Sequence, residues 1–288
     1  MNKPNFFLLG AGRSGTTSLY KYLYQHPDVF LSDIKEPSFF CESFQVIKNP
    51  VNYFELFNGT EDKKAVGEAS HVYLSNPKTA ELLKLLFPDA KFIVILRNPV
   101  ERAYSLYKHM IYYGYEKVGS FQKALNIETE RYNSSKFKNN CPQYFYNYMY
   151  FRSGLYGEQL SRFFKFFDKS QFLIIPFKKL QYDSACVLND IYSFLEISNK
   201  HNPDFKIYNQ EKIIPKFPSL HYFIERKLYP FLKMTRLKFL YKIIKNVENS
   251  TFIKSSDLDR KIYNNLLRKY NNDLRLLYNL TGIKIDDL

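Results

Sequence analysis

Five short, almost purely apolar runs punctuate the chain: Phe6–Leu9, Val29–Leu31, Ala65–Gly67, Lys91–Leu96 and Phe172–Ile175. None alternates with polar residues, so each reads as a strand buried on both faces, the habit of a parallel sheet covered by helices. Amphipathic stretches lie between them. After the turn at Gly10–Gly15, a helix is predicted from about Thr16 to Tyr24. Asn76-Pro77 opens another through Leu86, with leucines 82, 83 and 86 on one face, and Pro99 opens a third to about Tyr112. Proline suits such positions because the N–H it lacks has no partner in a first helical turn. Further helices are expected at 157–167 and 187–195. Strand and helix in alternation give an α/β class with a central, mostly parallel five-stranded sheet flanked by helices in three layers.

The pattern weakens elsewhere. Tyr113–Tyr150 is polar and aromatic and reads as helix and loop inserted over one end of the sheet. It breaks down across Asn199–Pro218, and helices are expected again at Leu220–Asn246 and Asp257–Leu280. With no repeat and no Gly/Ser-rich linker, the expectation is one domain over 1–288: an α/β core to about 198, then a mainly helical extension over 199–288.

At 288 residues, with 18% aromatic and 24% charged side chains, the chain has the makings of a sizeable core and is no disordered tail. No run approaches the roughly 18 apolar residues of a membrane span. Before Gly10 only Phe6–Leu9 are strongly apolar, short of the roughly 7–15 of a secretory signal, so none is expected. Cys41, Cys141 and Cys186 are far apart and form no CxxC pair, which reads as free thiols in a cytoplasmic protein without zinc. A net charge of +14 favours an anionic partner: a nucleotide, an acidic glycan, a nucleic acid or a membrane surface. A proteome rich in Lys, Asn, Tyr and Ile would produce the same excess. Within 215–246, basic residues outnumber the single acid Glu225 and interleave with Phe231, Leu232, Phe239 and Leu240. That stretch reads either as a basic amphipathic surface for an anionic glycan or a peripheral membrane contact, or as a solvated face over packed helices.

Chemistry concentrates in Gly10-Ala11-Gly12-Arg13-Ser14-Gly15-Thr16-Thr17-Ser18, between a strand and a helix. Glycines at 10 and 15 let the backbone curl so that successive N–H groups converge on an anion, and the helix adds its free donors and positive dipole end. The spacing fits the start of G-x-x-x-x-G-K-[ST], giving a P-loop-like fold, but Thr16 stands at the lysine position and the fixed cation is Arg13. No strand ending in a magnesium-holding Asp is obvious. The plain alternative is a tight turn with no ligand.

Two further segments matter. In Leu96-Arg97-Asn98-Pro99-Val100-Glu101-Arg102-Ala103-Tyr104-Ser105, Arg97 ends the strongest strand, where parallel sheets bind ligands, and Ser105 lies about two turns into the next helix. Together they suit a second phosphate; alternatively Arg97 pairs with Glu101. In Lys35-Glu36-Pro37-Ser38-Phe39-Phe40 a carboxylate sits on a rigid, partly dry loop and suits a general base, unless it is an ordinary surface Glu.

In this order the three segments resemble the sulfotransferases that use 3′-phosphoadenosine 5′-phosphosulfate (PAPS), especially bacterial members similar to the heparan sulfate sulfotransferases. The resemblance covers mainly 5–40, 65–112 and 152–182. It implies a 5′-phosphosulfate loop at Arg13, Ser14, Gly15, Thr16, Thr17 and Ser18. It also implies 3′-phosphate contacts from Arg97 and Ser105, and Glu36 as catalytic carboxylate with Arg13 assisting the reaction. The run Gly154-Leu155-Tyr156 resembles the helix beside the nucleotide, bringing in Tyr156. Glu68-Ala69-Ser70-His71 departs from the glycan members, which often carry Lys after the Glu and then Thr-Pro. Ala69 supplies no cation, and His71 reads as an acceptor-site group or a structural histidine. Lys216, or Lys212, is the candidate for the basic loop that closes over the cofactor.

The function expected is therefore metal-free sulfuryl transfer from PAPS, leaving adenosine 3′,5′-bisphosphate (PAP), to a hydroxyl or amine of a saccharide or small metabolite. The alternative is a P-loop-type nucleotide kinase or triphosphatase. A charge-driven nucleic-acid binder ranks third, since no zinc finger, helix-turn-helix or RNP-like motif is present. The acceptor and the oligomeric state are not encoded in any motif.

Overall fold

The structure, a computed structural model, describes residues 3–206, 213–235, 238–254 and 256–288. In chain order the elements are β1 (Phe6–Gly10), α1 (Thr16–Leu23), β2 (Val29–Leu31), α2 (Pro50–Glu55), β3 (Ala65–Ala69), α3 (Val72–Ser75), α4 (Thr79–Leu86) and β4 (Lys91–Leu96). There follow α5 (Pro99–Tyr112), α6 (Phe121–Asn126), α7 (Glu128–Asn133), α8 (Ser135–Asn140), α9 (Tyr156–Phe163), β5 (Phe172–Pro176), α10 (Phe177–Tyr182) and α11 (Ser184–Phe194). The remainder comprises β6 (Ile213–Pro215), α12 (Pro218–Phe223), α13 (Tyr229–Met234), α14 (Lys238–Asn249), β7 (Phe252–Lys254) and α15 (Arg260–Thr281). Among the described residues no helix is long and apolar enough to cross a membrane.

These elements form two compact units interleaved in sequence, one from Met1–Pro99, Leu155–Asn209 and Tyr270–Leu288, the other from Val100–Gly154 and Gln210–Lys269. The last helix passes from one unit into the other.

The first unit is built on a five-stranded sheet in the order β2-β3-β1-β4-β5, with every pairing parallel. All five apolar runs of the sequence are in it. Alternate residues of a strand face opposite sides. Phe6, Leu8, Ile93 and Ile95 pack with Leu19, Leu23, Val187 and Ile191 on one side. On the other, Phe7 stacks on Phe92 and Phe92 on Phe172, at centroid separations of 6.0 and 4.8 Å. Each such side chain, fully buried, contributes roughly 1.5–3 kcal/mol. Gly67 is a packing requirement: a Cβ there would lie 2.5 Å from the Phe6 ring.

The helix read from Asn76-Pro77 starts later, at Thr79, because the Asn76 side chain accepts from the Lys78 and Thr79 amides and holds the preceding residues in a turn. Its inner face is also different. Ala80, Leu83 and Phe87 are buried, whereas Leu86 is 45% exposed. Helices α3 and α10 carry no periodic signal because each is four to six residues long.

In the second unit the polar, aromatic stretch after Tyr113 is ordered by buried charges. Glu116 accepts both Arg131 guanidinium bonds, at 2.6 and 2.8 Å, and the Tyr150 hydroxyl. Arg102, 2% exposed, donates to the Tyr150 carbonyl and to Ser153 Oγ. Such pairs add little net stability while complete but cost about 3–5 kcal/mol when one partner is removed. Where the sequence suggested one helix at 220–246, the backbone runs helically from Pro218 through a π-turn (Ile224–Leu228) to Met234, and α14 follows. Strands β6 and β7, with no counterpart in the hydrophobic pattern, pair antiparallel.

Candidate active site

Because the sheet is parallel, its strands release the chain at one edge. The order β2-β3-β1-β4 sets four exits side by side: the Glu36 loop, the residues after Ala69, the Gly10–Gly15 bend and Arg97. Ligands of open parallel sheets bind at this kind of edge.

The bend has the left-handed turns a phosphate cradle needs. Gly10, Arg13 and Gly15 have φ of 134°, 72° and 84°. A Cβ on Gly15 would sit 2.9 Å from the Phe177 ring, and one on Gly12 2.8 Å from His71 Cδ2, so neighbouring side chains line the bend closely. Helix α1 begins at Thr16, and its N-cap, Gly15, has no side chain to cap it. Ser14 is fully buried, and its hydroxyl has no partner. A buried hydroxyl left unmatched costs about 1–3 kcal/mol, so this one points to a ligand. Thr16 is buried; Thr17 and Ser18 are half-exposed on the same helical turn.

Arg97 reaches the bend. Its Nη1 lies 3.4 Å from the Arg13 carbonyl, and its guanidinium stands 5.0 Å above the Phe177 ring. Phe177, absent from any motif, thus touches both the bend and the second cation. Tyr156 is buried and its hydroxyl donates to the Arg97 carbonyl at 3.0 Å. It holds the strand end that carries the guanidinium. The helix bearing Tyr156 is fixed in turn by Asp273, which accepts from the Gly157 and Glu158 amides.

Glu36 stands in the left-handed region, φ 69°, with its amide bonded to the Ala69 carbonyl at 3.0 Å. Strain of this kind in a non-glycine residue costs of order 1–3 kcal/mol and gathers at functional sites. Its carboxylate accepts from Lys35 Nζ at 2.9 Å on one oxygen and lies 2.7 Å from His71 Nδ1 on the other, with 27% of the side chain exposed. Burial acts to raise its pKa. The charges and hydrogen bonds of His71 and Lys35 outweigh that and hold the carboxyl well below the usual carboxylate range. His71, ambiguous in the sequence, joins Glu36 to the bend.

Behind this loop lies the acid that opens the Glu68-Ala69-Ser70-His71 segment, to which the sequence assigns no role. Glu68 is fully buried, accepting from Tyr53 and Tyr73 on Oε1 and from Ser70 on Oε2. Ser70 Oγ in turn accepts the Ser38 amide. Desolvation raises the Glu68 pKa from 4.5 to about 7; the Tyr73, Tyr53 and Ser70 hydrogen bonds oppose the rise and the Glu36 charge adds to it. The folded chain then keeps a proton that the unfolded chain releases, so stability falls as pH rises through that window and levels off above it. Glu68→Gln should therefore gain about 3 kcal/mol relative to wild type across the window. Urea unfolding on the acid and alkaline sides reads this directly; an unchanged difference would mean that Glu68 titrates normally.

The structure thus brings Arg13, Ser14, Gly15, Thr16, Thr17, Ser18, Arg97, Tyr156 and Glu36 to one unit. Ser105, half-buried on α5, and Lys216, exposed with its ammonium 5.5 Å from the Phe217 ring, belong to the other. Lys212 is outside the described residues.

A glycine bend opening a helix, flanked by a strand-end arginine and a carboxylate, is the arrangement with which a parallel α/β sheet can hold a phosphorylated ligand. The sulfotransferase domain family matches residues 3–211. The chain belongs to it, and so to the PAPS-dependent sulfotransferases. It is 28% identical to a sulfotransferase from Alicyclobacillus acidocaldarius of known crystal structure, with a TM-score of 0.74 over 98% of this chain and 97% of that one. It is also similar to the membrane-associated sulfotransferase kil1 of Dictyostelium discoideum, 38% identical over 109 residues, 38% of this chain and 23% of the relative. The mouse (Mus musculus) bifunctional heparan sulfate N-deacetylase/N-sulfotransferase 4 is 26% identical over 220 residues, 69% of this chain. The match again spans only 23% of the relative. The family implies PAPS as donor, and the unmatched Ser14 hydroxyl, the helix opening at Thr16 and the second cation fit such a ligand.

Proposed function

We propose that this chain moves a sulfuryl group from PAPS to a hydroxyl or amine of a saccharide or small metabolite, in line, with Glu36 as general base. The observation that carries the reading is the meeting of bend, arginine and carboxylate at one sheet edge: Arg97 contacts the Arg13 carbonyl, and His71 links Glu36 to Gly12.

The donor supplies an activated sulfuryl group on its 5′-phosphate. Arg13, the bend amides, the Ser14 hydroxyl and the first turn of α1 with Thr16, Thr17 and Ser18 hold that phosphate and offset the charge that builds on its oxygen as the bond to sulfur breaks. Arg97, with Ser105, selects the 3′-phosphate, and Tyr156 keeps Arg97 in place; Lys216 serves as the closing cation. Glu36 takes the acceptor proton as the new bond to sulfur forms. In a loose transition state the acceptor turns acidic late, so a weakly basic carboxylate suffices. A sulfuryl group carries less charge than a phosphoryl group, and fixed cations and backbone donors serve where a kinase needs magnesium. The two units act as one sulfotransferase domain. Relatives named for heparan sulfate support a saccharide acceptor.

Incubation with radiolabelled PAPS and a panel of saccharides, alcohols and amines should move label to at least one acceptor. Transfer from γ-labelled ATP instead would put a nucleotide kinase in its place.

A further inference from the structure

The helices after β6 carry apolar side chains on their outer as well as their inner faces. From Pro218 to Met234, His221, Ile224 and Leu232 are buried, while Leu220, Phe223, Phe231 and Met234 face solvent, the last 83% exposed. On α14, Phe239, Ile243 and Val247 recur every four residues and are 58–66% exposed. The polar groups between these helices turn inward. Glu225 accepts from the Tyr241 hydroxyl and pairs with Lys245, and the Tyr229 and Tyr241 rings lie 4.1 Å apart. A soluble helix pair normally keeps such apolar rows covered.

Cations accompany the outward apolar rows. Lys227 falls within the first row, and Lys233 is exposed beside it. Within 215–246 the one acid, Glu225, is the group turned inward. From this surface in the second unit we infer a docking face for a bilayer that contains anionic lipid, with the apolar rows entering the headgroup boundary and the lysines meeting its charge. Charge favours this occupant over a second copy, whose like face would set lysines against lysines. An acidic polysaccharide would leave the phenylalanines in water. The inference is independent of the reaction assigned to the first unit.

Co-sedimentation of the full chain with vesicles of phosphatidylcholine alone, or of phosphatidylcholine with phosphatidylserine, tests it. The protein should pellet with the anionic vesicles, little with the neutral ones, and less as salt rises. Combining Phe231→Ser, Phe239→Ser and Ile243→Ser should lower the bound fraction about tenfold or more at unchanged circular dichroism and bisphosphate affinity. Combining Lys227→Gln with Lys233→Gln should weaken binding to anionic vesicles only. No pelleting with anionic vesicles, or equal pelleting of the triple variant, overturns the inference. So does a dimer in sedimentation velocity that the triple variant abolishes, which would assign the face to a second copy.

Discussion

Glu36→Gln should lower kcat for sulfuryl transfer by about 10²–10⁴-fold, the usual worth of a general base, and leave nucleotide affinity where it is. The separation follows from geometry. The carboxylate is already matched by Lys35 and His71, so its charge adds little to the field at the bend. Glutamine keeps the shape and an oxygen for Lys35 but takes no proton. Because His71 and Lys35 hold the carboxyl well below the usual range, Glu36 stays ionised across neutral and mildly acid pH, and the wild-type rate should show no limb from it there. Wild-type turnover by the variant with its best acceptor would remove Glu36 from the role.

Arg97→Ala should weaken adenosine 3′,5′-bisphosphate roughly ten- to hundredfold, the value of about 1.5–3 kcal/mol for hydrogen bonds to a charged group. Binding of adenosine 5′-monophosphate should hardly change, since the bend and α1 remain. The guanidinium also stacks on Phe177 and touches the Arg13 carbonyl, so bracing the bend is the competing role for it. A purely structural role would therefore weaken both nucleotides alike, and equal losses would refute the selectivity assigned to Arg97.

The sheet was legible because each of its strands is a continuous apolar run, and the bend because glycines at 10 and 15 bracket it. Local signals of that kind survive in one dimension. What escaped depends on contacts between distant residues. Glu68 looks like any acid in a strand until Tyr53 and Tyr73 close over it. Phe177 opens a helix of six residues, too short to show a period, yet lies against both Gly15 and Arg97. His71 has two readings in the sequence because its partner Glu36 is 35 residues away. The leucine face of α4 is ambiguous for a different reason: with leucines at 82, 83, 85 and 86, the pattern does not say which side is covered.

As proposed here, the bend and Arg97 make one site for a nucleotide with two phosphates, working without a divalent ion. Calorimetric titration of the wild-type chain in EDTA with adenosine 3′,5′-bisphosphate, then with adenosine 5′-monophosphate and ATP, addresses it most directly. The bisphosphate should bind saturably, well above either competitor and unaltered by magnesium. Equal affinity for all three, or binding that appears only once magnesium is added, would contradict it.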